Sequence, residues 1–312
     1  MGHVTSWEKP SGLPAGLTTP SAAYAWRHCV LIAGAMCALL VAASVCAAYS
    51  PYPWIAVLLL PLLGAQIYKI TIIMHDCCHG TMFRGRRWNA VVGTIGGYFV
   101  ATEFGSFRRV HLKHHREYGE PDDPQGDDYL GLEAASRTAL AWHLGRPLLG
   151  YNLFKLAMFD RASAAREDRQ PSTPGWPRRL SFLAGVAGVQ ILIAAMASGL
   201  FAVWWTVLLY PAAAATFALF FSQTRGFAEH IAAPGYSPVR HARTHLPHWF
   251  DRLFLYTLNF NYHVEHHRHP GVPSCHLPRL HTAMRGEIPD ADVSPSMVAT
   301  VLRRWRAAPG GQ

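Results

Sequence analysis

Three short stretches of this chain collect histidine at helical spacing: HDCCH (His75 and His79), HLKHH (His111, His114 and His115) and HVEHH (His263, His266 and His267). A fourth, FAEH, ends at His230. Residues three or four apart share one helix face, so each stretch can aim its imidazoles at a common point. Neutral imidazole is a strong ligand for iron, zinc, copper and nickel. A catalytic zinc takes about three protein ligands, so eight or nine histidines are too many for one ion and suit two. A pair of irons with nitrogen ligands and open positions is suited to activating dioxygen. The Glu-x-x-His motif of carboxylate-bridged di-iron bundles is missing. So are H-E-x-x-H and G-x-S-x-G, which removes the common zinc-protease and serine-hydrolase signatures.

Other polar residues lie beside these stretches. Asp76, Glu229 and Glu265 adjoin histidines, and a carboxylate that accepts the second ring N–H would fix tautomer and orientation. For Asp76 a capping or solvated position competes with that role. Asn261 suits either a hydrogen bond to a metal-bound water or a turn. His269, His276 and His281 read as polar packing or outer hydrogen bonding. The run HARTHLPHWF (His241, His245, His248) is interrupted by Pro247 and reads as an interfacial segment. His3, His28 and His143 stand alone. The acidic stretch REYGEPDDPQGDDY lacks the register of a calcium loop and reads as a solvated loop.

The elements that must position these residues are apolar. Half of the 312 residues are hydrophobic and 15% are charged, against about 25% in an average soluble domain. No Asp, Glu, Lys or Arg occurs from His28 to Tyr68 or from Leu180 to Thr224. A crossing helix needs about 20 apolar residues, so each block holds two crossings and a tight turn. Pro51 and Pro53 break the first block, and Gly199 with Trp204 and Trp205 the second. The expected spans are 28–49, 53–74, 180–199 and 202–223. The fold expected is therefore an all-α membrane protein: four transmembrane helices in two hairpins, and a helical cap (75–179 and 224–312) carrying the histidines.

Neither outer turn contains Lys or Arg, so the positive-inside rule puts the cap and both termini in the cytoplasm. Residues 1–27 form a polar tail, and 28–312 one membrane domain. The segment 88–107, broken by Gly93, Gly96, Gly97 and Glu103, reads as a re-entrant or interfacial helix pair that brings the first two histidine stretches together. The net charge of +9 points to anionic lipid headgroups or an acidic protein partner, and nothing resembles a nucleic-acid reading module. Six cysteines without C-x-x-C give no disulfide framework and no structural zinc site.

The order H-x-x-x-H, H-x-x-H-H, H-x-x-H-H resembles the three boxes of the integral-membrane fatty acid desaturase and hydroxylase superfamily. NYHVEHHRHPGVPSCHLPRLH is similar to the third box and tail of acyl desaturases, and the likeness runs from about residue 28 to 285. The resemblance implies a non-haem di-iron centre, O2 as oxidant and cleavage of a substrate C–H bond. By it, His75, His79, His111, His114, His115, His263, His266 and His267 are metal ligands and catalytic, with His230 a further ligand. Some relatives place Asn four residues before that last histidine. Here Gly226 stands there, which leaves the coordination number of one iron open.

The expected function is O2-dependent desaturation of an aliphatic chain, fatty acyl or lipid-like, drawn from the bilayer through an apolar tunnel. The alternatives are a hydroxylase or ketolase of an apolar metabolite or carotenoid with the same centre, a metal-dependent membrane hydrolase, and a metal transporter. No fused reductase motif occurs, so a separate ferredoxin or cytochrome b5-type donor is expected on the cytoplasmic face.

Overall fold

The computed structural model describes residues 13, 16–151, 176–199, 203–232, 241–246 and 248–309. Four helical stretches are long and apolar enough to cross a membrane: Ala22–Tyr49, Pro53–His79, Trp176–Ser198 and Trp204–His230. We name the first α1. The second opens as a 3-10 turn (Pro53–Leu59) and continues as α2 (Leu60–His79). Then come α3 (Arg86–Phe99), α4 (Phe104–Glu117), α5 (Arg137–Gly145) and α6 (Trp176–Gly199). The fourth long stretch (Trp204–His230) is α7. Short helices follow: α8 (Trp249–Phe254), α9 (His263–Arg268), α10 (Leu277–Met284) and α11 (Met297–Ala307).

Local chemistry sets the ends. Ser21 caps α1, its hydroxyl accepting from the Tyr24 N–H, and Pro51 and Pro53 force the break before the next helix. Gly80, left-handed at φ 76°, closes α2 by donating to the Asp76 and Cys77 carbonyls. Glu103 opens α4, its carboxylate accepting from Gly105 N and Ser106 N.

All four long helices extend past the expected span on the histidine side. α1 begins at Ala22 rather than 28, inside the expected tail, and α6 at Trp176 rather than 180, while α2 runs to His79 rather than 74 and α7 to His230 rather than 223. In α2 and α7 the apolar run ends before the helix does, because the last turns stay buried against other protein segments, whereas the added first turns of α1 and α6 are mostly exposed. Gly199 ends α6, and the turn after it (200–202) lies outside the described residues.

α2 is the central helix, the most buried of the four stretches, and α6 is the most exposed. Ser44 on α1 and Thr206 on α7 both donate to the Ala197 carbonyl of α6, at 2.6 and 2.8 Å, tying three helices at one end. α7 contains a π-turn (Ala214–Ala218), and Gly64 of α2 fits against Phe217 and the Ala218 backbone there. The expected pair over 88–107 is present as α3 and the start of α4. Gly96 lets α3 approach Met74 and Ile70 of α2, and Gly97 sits over the Thr102 carbonyl, where any Cβ would collide. The second histidine box is thereby folded back onto the end of α2.

Beyond α7, Thr244–His245 pairs in parallel with Val293–Ser294, a minimal sheet in a chain expected to be all helical. This corrects the reading of His241–His245 as interfacial: Ala242 to His245 are buried, whereas Trp249 further along is exposed.

Candidate metal centre

The expected ligands come from four elements. His75 and His79 occupy the last turn of α2, His111, His114 and His115 lie on α4, His230 ends α7, and α9 carries the third box. α9 is short and is held from outside. Arg243 N donates to the Glu229 carbonyl at 2.8 Å, Val264 N to Thr244 Oγ1 at 3.2 Å, and His245 N to the Asn261 carbonyl at 2.9 Å. Just before it the chain turns through Leu258 and Asn259, both left-handed (φ 56° and 58°).

The imidazoles form two adjacent clusters. In the first, ring nitrogens of His75, His79, His111, His115 and His266 all lie within 4.8 Å of one another. In the second, those of His114, His230 and His267 do so. His263 joins the second cluster, its Nε2 3.0 Å from the Nε2 atoms of His230 and of His267. The clusters share a wall, where the His115 and His267 rings stack with centroids 4.2 Å apart.

The division follows helix geometry. His111 and His115, four apart, face the first cluster, while His114, about 100° round the helix from His115, faces the second. On α9 the split is reversed: His263 and His267 serve the second cluster and His266 the first. Each H-x-x-H-H box therefore contributes to both.

The spacing suits bound ions. Nε2–Nε2 separations are 2.8 Å for His79–His111, 3.0 Å for His111–His115 and 3.1 Å for His115–His266. Two nitrogens about 2.1 Å from one first-row ion and about 90° apart lie about 3.0 Å from each other. His111 Nε2 faces two such neighbours and one proton cannot bridge both, so the arrangement suits a shared cation better than a hydrogen-bonded pair. Burial, with neighbouring histidines adding to it, holds His111, His115, His263, His266 and His267 well below the usual imidazole range. They are therefore neutral imidazoles at pH 7, the form that can bind a metal.

Of the four other residues singled out in the sequence, Glu229 alone reaches a box histidine. Its Oε2 is 3.4 Å from His263 Nε2, and its other oxygen accepts from Arg225 Nε at 2.7 Å. Glu265 turns away and pairs with Thr244 and His281. Asn261 donates to the His245 carbonyl at 2.9 Å and is a brace for the 241–245 segment. Asp76 is buried rather than solvated; it accepts from Thr81 and from Ser274 Oγ (2.6 Å), joining the end of α2 to the segment after the third box. His281 is part of the polar packing, as read.

Sequence reasoning missed Asp123. It sits in the acidic stretch taken as solvated, yet it is buried, with both oxygens on His114 Nδ1 at 2.9 and 3.0 Å. Tyr129 also donates to it, and the Tyr129 ring lies 5.0 Å from that of His230. Burial opposes ionisation of Asp123, but the hydrogen bonds from His114 and Tyr129 outweigh it and hold the carboxyl below its usual range. No periodicity links Asp123 to His114, because the chain leaves α4 and folds back through successive turns. The same loop fills the space that Gly226 leaves open: a Cβ there would stand 2.7 Å from Asp128 Oδ2. His230 Nδ1 donates to the His241 carbonyl at 2.9 Å.

Residues 49–298 match the fatty acid desaturase family. The chain is a member of that family. The relatives it resembles include the sphingolipid delta(4)-desaturase/C4-monooxygenase of Rattus norvegicus, 26% identical over 69% of this chain and 61% of the relative. A fatty acid desaturase of Bacillus subtilis is 28% identical over 32% of each chain. A beta-carotene ketolase of a Paracoccus species is 26% identical over 73% of this chain and 80% of the relative. The chain thus spans about three fifths of the length of its sphingolipid-desaturase relative. Membership supports an oxidoreductase, and with the four apolar helices it makes this desaturase-family chain an integral membrane protein.

Proposed function

We propose that this protein is an O2-dependent di-iron desaturase acting on an aliphatic, fatty acyl or lipid-like chain. The observation that carries the proposal is the convergence of His75, His79, His111, His115 and His266 on one point and of His114, His230, His263 and His267 on an adjacent one. Those nine imidazoles would hold two irons. The chemistry supplied by the bound pair is O2-dependent removal of hydrogen from an unactivated CH2. In balance, the substrate loses two adjacent hydrogens to form C=C. An external donor, ferredoxin or cytochrome b5-like, gives two electrons, solvent gives two protons, and O2 leaves as two waters.

The chain's own residues position and shield. Asp123 and the His241 carbonyl accept Nδ1–H from His114 and His230, which leaves Nε2 of each free to bind. Phe260 lies against His75 and His266, with centroids 4.4 and 4.9 Å away, and keeps water from the first cluster on that side. A cleft of about 570 Å³, bordered by Thr19, Thr81, Arg84 and Gly271, reaches His79 and offers a way in to the first cluster. The helices form two membrane hairpins with the clusters on the cytoplasmic side, a reading supported by the Lys- and Arg-free outer turns.

A second reading, oxygen insertion to give an alcohol or ketone, is favoured by the ketolase relative, which this chain covers over most of its length. Family membership favours oxidation over hydrolysis or transport. The test is metal analysis of purified protein with mass spectrometry of lipids from cells with and without it. Two irons per chain and a product two mass units lighter are expected. A gain of oxygen would select the second reading, and O2-independent turnover by metal-free protein would reject both.

A further inference from the structure

The two clusters are braced differently. In the second, two rings are anchored through Nδ1: His114 on the Asp123 carboxylate and His230 on the His241 carbonyl. In the first, among the described residues, no carboxylate or carbonyl bonds an Nδ1; the Nδ1 atoms of His75 and His115 are buried without a partner, as are those of the other two rings of the second cluster, His263 and His267, so the difference rests on His114 and His230. The nearby charges differ too. A cation, Arg108, donates to the Cys78 carbonyl beside His79 at 2.8 Å. The second cluster has the buried Asp123 carboxylate, held by His114, Tyr129 and the Gln125 N–H, and it has Glu229, whose charge Arg225 offsets. An anion one imidazole away raises that ligand's basicity and stabilises charge on whatever it binds.

We infer that Asp123 is a positioning residue for one ion only, acting through His114, and that it adds a difference in charge to two sites already unequal in their five and four imidazoles. The inference rests on the two-metal reading above. The acidic stretch after the second box then has a definite use. It folds back to deliver one carboxylate to the second cluster, with Tyr129 locking that carboxylate in place.

The substitution Asp123→Asn keeps an oxygen able to accept the His114 N–H and removes the charge. The full-length protein, stripped of metal in detergent, is titrated with Co2+ by calorimetry and metal analysis, then with Fe-57(II) for Mössbauer spectra. Wild type should take two Co2+ and give two distinct iron doublets. D123N should weaken one binding step by about 10- to 100-fold and leave the other unchanged. The weakened step should be the one abolished by His230→Ala and kept by His79→Ala, and one iron doublet alone should move. Tyr129→Phe, which loosens the carboxylate without removing it, should weaken the same step less. If D123N titrates as wild type, or weakens both steps equally, this inference falls and the two-metal reading stands. If wild type takes up no Co2+ or iron, the proposed function itself falls.

Discussion

The pair His114–His115 shows how far residue type reaches. Their spacing from His111 marks all three as ligand candidates in the sequence, yet neighbours on one helix point to different clusters. His115→Ala and His114→Ala should each reduce bound metal from two ions to one, but a different one. The retained signals in the Fe-57 spectra should be complementary, and a double loss from either single variant would contradict the split. The histidines were legible because their chemistry and period are local. Asp123 was not, because a carboxylate in an acidic run looks the same whether solvated or buried, and only the fold-back of 118–129 decides. Glu265 failed in the opposite way, since adjacency to a ligand in sequence does not set where a side chain turns, while Asn261 takes the turn position that was one of its two readings.

Another residue gives a pH test. His245 is buried between Tyr256 and Thr300, 2.9 and 3.1 Å from their hydroxyls. Burial, with Arg243 and Arg225 adding to it, pushes its imidazole down to about 3. Between that value and the ordinary one near 6.5, the unfolded chain binds the proton and the folded one does not. Its contribution to stability is therefore full above about pH 6.5 and is lost as pH falls toward 3. The loss from this site is about 2 kcal/mol between pH 6.5 and 5. Thermal unfolding of metal-free protein should show a shallower acid dependence for His245→Gln than for wild type; an equal dependence would show that His245 does not carry it.

At the scale of elements, the charge map gave the number and order of crossings, and the glycines of 88–107 gave the α3–α4 fold-back. It could not give the true ends of α2 and α7, because helix continuation past the apolar run depends there on protein packing. The π-turn of α7 had no sequence signal, and Gly64 opposite it records the contact only in three dimensions. Gly64→Leu should force α2 from Phe217 and the Ala218 backbone, destabilising the protein by about 1–3 kcal/mol and lowering metal content at both clusters. Gly34→Ala, facing open space on α1, is the control and should leave thermal stability and metal content unchanged.

The whole molecule is basic, and its exposed arginines, among them Arg84, Arg109, Arg116, Arg279, Arg303 and Arg306, lie on segments that flank the clusters. An acidic electron donor would be steered to that face. Reduction by such a donor should slow steeply between about 0.01 and 0.5 M salt as screening shortens, whereas reduction by a small uncharged reagent should not. Equal salt sensitivity would place the donor elsewhere.

The alternation of neighbouring histidines between two sites has a mechanical result. The gap between the two histidine clusters is spanned twice, once by α4 and once by α9, by single peptide steps. Backbone pitch therefore acts as the ruler for that gap. A slide of either helix along its axis would carry its rings in both clusters together before it could draw the clusters apart.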